Sequence, residues 1–328
     1  VEAEAPPLIK VLSIDGGGIK GIIPATVLAY IEQKTGQPTA HLFDLIAGTS
    51  TGGILALGST KPGPDGTPAY TAEEGIAFYV EEGPVVFSRP WYRKIPGWNL
   101  IEERYPSGPI DEVLLEYFGD TRLKEALTDV IITSYDIEGR APYFFKSRHA
   151  KDPDRPRDDF FMRDAARATA AAPTYFEPAK ITVPGEPPYV ALIDGGVYAI
   201  NPAMCAYAEV RSLNPPEAQV LLVSLGTGEN TEPLPYDEVK GWGEASWARP
   251  ILDVTFDGNS DTVDFQLRQL LPANGGLARY YRFQIRLEGA SDAMDDASEE
   301  NLQALQDLGN KLVADNQAAL DELCSQLI

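Results

Sequence analysis

The chain has few histidines, few cysteines, few basic residues relative to acidic ones, and no long apolar run. Its two cysteines, Cys205 and Cys324, make neither a disulfide framework nor a zinc ligand set. They fit unpaired thiols in a reducing compartment. The 27 Lys and Arg residues face 49 Asp and Glu, a formal net charge of −22. Nucleic-acid binding requires a basic footprint, and none dominates here. So acidic a surface is also repelled on average by anionic membranes, which leaves only a local patch for any contact of that kind. No stretch approaches the ~20 apolar residues of a membrane span. Residues 1–7 lack the basic-then-apolar pattern of a signal segment. A cytoplasmic, soluble protein with peripheral association at membranes is the expectation, and export after removal of a signal segment stays open as the alternative.

What is present is an alternation of strand-like and helix-like runs, with 44% hydrophobic residues to bury. Residues 8–14, 42–47, 129–134, 143–145, 189–193 and 219–225 read as strands. Residues 21–34, 51–57 and 163–171 read as helices. The stretch 297–323 reads as one long amphipathic helix with Leu302, Leu305, Leu308, Leu312 and Val313 on its apolar face. Such alternation argues for a layered α/β domain. The expected organisation is one catalytic domain over residues 1–328. Pro- and Gly-rich stretches at 61–68 and 83–109 read as insertions over one face, so that residues 61–110 would form a lid or interface.

The strongest local signal is Gly48-Thr49-Ser50-Thr51-Gly52, between an apolar strand and an apolar helix. This is the context of a G-x-S-x-G elbow, in which a serine stands at the carboxyl edge of a sheet above a helix N-terminus. The turn is tight enough to require glycine two places on either side. The competing reading is a Gly/Thr/Ser-rich helix cap.

A nucleophilic serine needs a base. The usual order of Ser, then acid, then His fails, because neither histidine lies near the C-terminus. His41 would sit at the far end of the strand leading to Ser50, ~23 Å or more away at ~3.3 Å per residue. His149 lies in a charged loop and is not excluded by spacing alone. Asp194-Gly195-Gly196 follows the apolar strand 189–193, which would place Asp194 at the carboxyl edge of a parallel sheet, beside Ser50. A carboxylate there can take the serine proton. An ordinary Asp-Gly turn is the plainer alternative.

The third segment is Asp15-Gly16-Gly17-Gly18-Ile19-Lys20-Gly21. Consecutive glycines at a helix start expose backbone N–H groups and form an anion nest suited to an oxyanion. Gly16, Gly18 and Gly21 also spell G-x-G-x-x-G, so a dinucleotide-binding protein competes. Against it, the next strand ends in the Ser50 elbow instead of an acidic residue, and Asp15 would point its charge at a pyrophosphate.

Together these segments resemble the patatin family of lipid acyl hydrolases, in its plant-type branch. The likeness continues through residues 170–176, 223–228 and 294–301 and spans nearly the whole chain. The resemblance implies a three-layer αβα sandwich with a mostly parallel sheet. It implies a serine esterase of phospholipase, galactolipase or simple esterase type, needing neither cofactor nor metal. By position, Ser50 is the nucleophile, Asp194 the base, and Gly16, Gly17 and Gly18 the oxyanion donors, joined by the Thr51 amide. Lys20 stands where the family often has Arg and is the candidate for an anion or lipid contact, without an Arg's bidentate geometry. Expected partners are lipid acyl esters at a transient membrane or micelle surface, and no nucleic acid.

The stretch 84–109 is the candidate lipid-facing region. It carries Phe87, Trp91, Tyr92, Trp98 and Tyr105 among Arg89, Arg93, Lys94 and Arg104. The alternative is that these rings pack inward. A storage protein or ligand-activated effector that keeps the fold and shows only conditional esterase activity is the second functional reading.

Overall fold

Along the first strand, β1 (Leu8–Ile14), side chains alternate between two cores: Leu12 and Ile14 enter one, Val11 the other. A strand with helices on both faces has to be apolar in both directions. This computed structural model describes residues 6–88, 103–185, 187–247, 250–273 and 279–328.

Parallel neighbours flank β1 on both sides: β2 (Leu45–Thr49) and β7 (Gln219–Leu225). β3 (Asp129–Asp136) adds in parallel to β2, and β8 (Tyr280–Phe283) in parallel to β7. β4 (Ala141–Lys146), β5 (Ala179–Thr182) and β6 (Tyr189–Asp194) complete the sheet through antiparallel pairs. The order is β5-β6-β3-β2-β1-β7-β8, with β4 also on β3.

The larger core lies on one face, under helices that include Ile22–Thr35, Thr51–Thr60, Ala72–Val86, Met162–Thr169 and Glu299–Asp315. Helices Ala203–Leu213 and Pro250–Leu270 cover the other face. The architecture is the expected three-layer αβα sandwich around a mostly parallel sheet.

Several boundaries differ from the sequence reading. The strand expected at 42–47 begins at Leu45, because Thr39 donates its amide and hydroxyl to Glu32 Oε1 at 2.8 and 2.7 Å and starts a helical turn, Thr39–Leu42. The long helix expected at 297–323 is two, Glu299–Asp315 and Gln317–Leu327. Asn316 divides them, folding its side-chain amide back onto the Leu312 carbonyl at 2.9 Å. Part of the stretch read as an inserted loop is helical. Ala72–Val86 opens with a reciprocal capping box between Thr71 and Glu74 and runs through Pro84 into its last turn. Among the described residues, no helix is long and apolar enough to cross a membrane.

Candidate active site

β2 ends at Thr49, and the helix Thr51–Thr60 begins two residues later. Ser50, between them, has φ 54° and ψ −124°. A non-glycine residue adopts such a backbone only when its surroundings hold it there. The Ser50 amide donates to Thr169 Oγ1 at 2.7 Å. The Thr49 hydroxyl lies 2.6 Å from that of Thr133 and donates to the Ala199 carbonyl at 2.6 Å. The glycines of the elbow are sterically required. A Cβ on Gly48 would stand 2.2 Å from the Gly52 carbonyl oxygen, and one on Gly52 would stand 2.2 Å from that of Ile14.

Asp194 reaches this elbow by a route the sequence reading did not foresee. β6 is antiparallel to β3, so its carboxyl end does not point toward the carboxyl edge of the parallel strands. Registers explain the meeting: Thr49 of β2 pairs with Thr133 of β3, and Asp194 of β6 pairs with Ser134, the next residue. β4 occupies the other edge of β3 along residues 131–136. β2 and β6 therefore share one edge of β3, running toward each other, and their carboxyl ends abut. Gly195 permits the junction, since a Cβ there would lie 2.2 Å from Thr133 Oγ1.

Asp194 is 4% exposed, and its Oδ1 accepts the Gly196 amide at 2.7 Å. Burial pushes its pKa up to about 7, while hydrogen bonds from the Ser50 hydroxyl and the Gly196 amide pull it down.

The glycine turn after β1 is only partly open for an oxyanion. The Gly16 amide donates to the Ile200 carbonyl at 2.9 Å. Gly16 is thus removed from the expected donor set, because its one N–H is taken. The amides of Gly17, Gly18 and Thr51 donate to no group among the described residues. Gly18 has φ +60°, and a Cβ there would lie 2.1 Å from the Met294 carbonyl oxygen.

Asp15 forms a buried ion pair with Arg282 at 2.6 Å, both side chains being about 5% exposed or less. Sequence reasoning treated Asp15 as a bare charge and missed Arg282, whose one signal is a lone cation within the apolar β8.

Ser50 borders an apolar cavity of about 70 Å³. Its walls include Phe87, Ile110, Val113, Phe176 and Met294. A second cavity, polar and about 330 Å³, lies across the glycine turn. Gly18 faces the apolar space, and Gly16 and Gly17 the polar one, with Met294 shared. Lys20 belongs to the polar cavity. It is 6% exposed, and burial lowers its pKa against the opposing pull of Asp253, Asp292 and Asp257.

Two residues of the expected lipid-facing stretch turn inward. Tyr105 is 4% exposed, with its ring 5.5 Å from that of Phe87 and 5.8 Å from that of Phe176. Arg104 pairs with Asp295 and lies over the Tyr175 ring. Phe87 lines the cavity. Both histidines stand away from Ser50 and Asp194. His41 is exposed in its helical turn. His149 follows β4, where Lys146 pairs with Ile131 and the Val130 amide donates to Ser147 Oγ, at the end of β3 opposite to the elbow. Trp91, Tyr92, Trp98, Arg89, Arg93 and Lys94 lie outside the described residues. Among the described residues, no group of three or more His, Cys, Asp or Glu is placed to hold a metal ion.

The patatin-like phospholipase family profile matches residues 12–207. The chain is 36% identical to a probable inactive patatin-3-Kuras 1 of Solanum tuberosum, over 93% of this chain and 86% of that one. It is 34% identical to patatin-like protein 2 of Oryza sativa subsp. indica, over 97% and 87%. Among solved structures, VipD from Legionella pneumophila matches with a TM-score of 0.39 and 12% identity, over 95% of this chain and 67% of that one. By sequence, then, the chain belongs to the patatin-like phospholipase family, and it is a lipid ester hydrolase.

Proposed function

We propose that the chain cleaves fatty-acyl ester bonds of phospholipids or galactolipids through a Ser50–Asp194 dyad. In this reading Ser50 Oγ attacks the ester carbonyl as Asp194 takes its proton. The amides of Gly17, Gly18 and Thr51 hold the oxyanion, and the alcohol half leaves with the proton from Asp194. Water, deprotonated by Asp194, then attacks the acyl-serine, and Asp194 returns that proton to Ser50 Oγ as the fatty acid leaves. The observation that carries the reading is a buried carboxylate, with its pKa pushed up to about 7, brought by the registers of β2 and β6 on β3 against a serine in a strained elbow. A base with a pKa near the working pH serves this chemistry better than an ordinary aspartate.

The apolar cavity beside Ser50 takes the acyl chain. The whole of residues 1–328 acts as one catalytic unit, and residues 61–110 act as its cover. Support comes from the helix Ala72–Val86, which contributes Phe78, Tyr79 and Val86 to the cavity wall. The setting we infer is cytoplasmic, with transient docking on a membrane or micelle surface.

The test is hydrolysis of a lipid panel by wild type and Ser50→Ala, with fluorophosphonate labelling read by mass spectrometry. A single adduct on Ser50, together with loss of all hydrolysis in the variant, is expected. Retention of a tenth of the activity would remove Ser50 as nucleophile, whereas a wild type without hydrolysis of any lipid in the panel would favour a storage or effector role.

A further inference from the structure

The amides that would hold the oxyanion come from two separate segments. Gly17 and Gly18 belong to the turn after β1, and Thr51 opens the helix after β2. Three amides can serve one oxygen only if the two segments keep a fixed spacing. The pairing of β1 with β2 ends at Ile14 and Gly48, short of all three donors. A buried side-chain contact spans the gap. Tyr79, on the helix Ala72–Val86, is 4% exposed. Its hydroxyl lies 2.5 Å from Thr51 Oγ1 and donates to the Thr51 carbonyl at 3.2 Å. Burial pushes the phenol further up from its usual pKa of 10, so the group keeps its proton. This pair of hydroxyls rests on the backbone of Gly21, where the glycine turn ends. A Cβ on Gly21 would lie 2.3 Å from Thr51 Oγ1 and 2.5 Å from the Tyr79 hydroxyl oxygen. Gly21 has φ −55° and ψ −17°, an ordinary helical backbone, so the position requires the missing side chain and not a special conformation. The last glycine of the G-x-G-x-x-G string thus makes room for a tyrosine.

We propose that Tyr79 is a positioning residue for the oxyanion site, an inference that rests on the Ser50 reading above. Its hydroxyl, seated in the notch at Gly21, grips Thr51 by side chain and carbonyl. That grip holds the Thr51 amide in register with the amides of Gly17 and Gly18. The Tyr79 ring borders the apolar cavity, whereas its hydroxyl acts on the reaction only through Thr51. One helix therefore both walls the acyl space and aligns a donor across it.

Tyr79→Phe keeps the ring and removes the hydroxyl. On a short, water-soluble ester its kcat should fall about ten- to hundredfold, the scale of one displaced preorganised donor, with KM unchanged. Thr51→Val should lose as much, and Thr51→Ser, which keeps the hydroxyl, should recover the rate. The Tyr79→Phe/Thr51→Val double variant should lose no more than either single one, because both changes break the same contact. A trifluoromethyl ketone separates positioning from folding, since its adduct with a serine carries an oxyanion and the corresponding secondary alcohol forms none. Tyr79→Phe should weaken inhibition by the ketone in proportion to the fall in kcat and leave inhibition by the alcohol as in wild type. The midpoint of the pH profile should stay near about 7, because Asp194 is untouched. A hydroxyl with a structural role alone would lower the melting temperature while kcat and ketone inhibition stay as in wild type. That result would overturn the proposal, as would fully additive losses in the double variant. Either one alongside normal fluorophosphonate labelling of Ser50 leaves the catalytic reading intact, whereas absent labelling of wild type sinks that reading and this one together.

Discussion

The Ser50 amide donates to the Thr169 hydroxyl at 2.7 Å, tying the strained elbow to the end of the helix Met162–Thr169, 119 residues further along the chain. Nothing else among the described residues accepts that amide. Thr169→Val keeps the shape and removes the acceptor. It should destabilise the fold by about 1–3 kcal/mol, the penalty of an orphaned buried donor. Catalysis should fall through kcat more than KM, because the nucleophile loses its orientation, and Thr169→Ser should restore both. A Thr169→Val enzyme with unchanged kcat would show that the elbow holds itself.

With Asp194 as the proposed base, its titration should set the pH dependence. Burial pushes its pKa up to about 7, and the base works as the carboxylate. On a soluble ester, kcat/KM should therefore climb as pH rises toward about 7 and level off above it. Stability runs the other way. The folded-state pKa lies above the ordinary value of 3.8, so this group's contribution is fully present below that value and is lost as pH rises through about 7. Asp194→Asn should cost several orders of magnitude in rate. The melting temperature of the variant minus that of wild type should increase between pH 5 and pH 8, and a flat difference would contradict the assignment.

Histidine should be dispensable. His41 is exposed, and His149 sits at the opposite sheet edge with Arg155 against its ring at 3.0 Å. Changing both to Gln should leave most of the activity on a soluble ester. A stable but inactive double variant would restore a triad and defeat the dyad.

The apolar cavity should govern acyl length. Val113, on the helix Gly108–Phe118, is 4% exposed and forms part of the wall. Val113→Phe adds bulk there and should reduce activity on long acyl chains by about tenfold or more while sparing acetyl esters, since each methylene that cannot be buried forfeits about 0.8 kcal/mol. Parallel loss on both chain lengths, with a lowered melting temperature, would mark Val113 as core alone.

Some of this was legible in the residues because the cause is local. The Ser50 elbow needs glycine at positions 48 and 52 for steric reasons that act within five residues, so the motif announces itself. The near-continuous apolar runs of β1 and β7 show a sheet covered on both faces. Other features were misread because a longer-range contact decided them. Thr39 yields to Glu32, and Asn316 breaks what periodicity joins; of the two readings open for Tyr105, the ring cluster with Phe87 and Phe176 takes the inward one.

By itself the sequence determined the layered α/β class, the serine elbow, the glycine nest and, by the near absence of histidine, that the base had to be sought elsewhere. The sequence pointed to Asp194 on the assumption of a parallel strand. Only the tertiary structure decided how it arrives, with β6 running against β2 along one edge of β3 until Asp194 stands one register step from Thr49. It also decided that Ile200 takes the Gly16 amide, that Arg282 meets Asp15, and that the glycine turn divides an apolar space from a polar one. The physical reason is range. Steric limits on a turn act between neighbours in the chain, whereas strand pairing, buried charge and cavity shape depend on groups that only folding brings together.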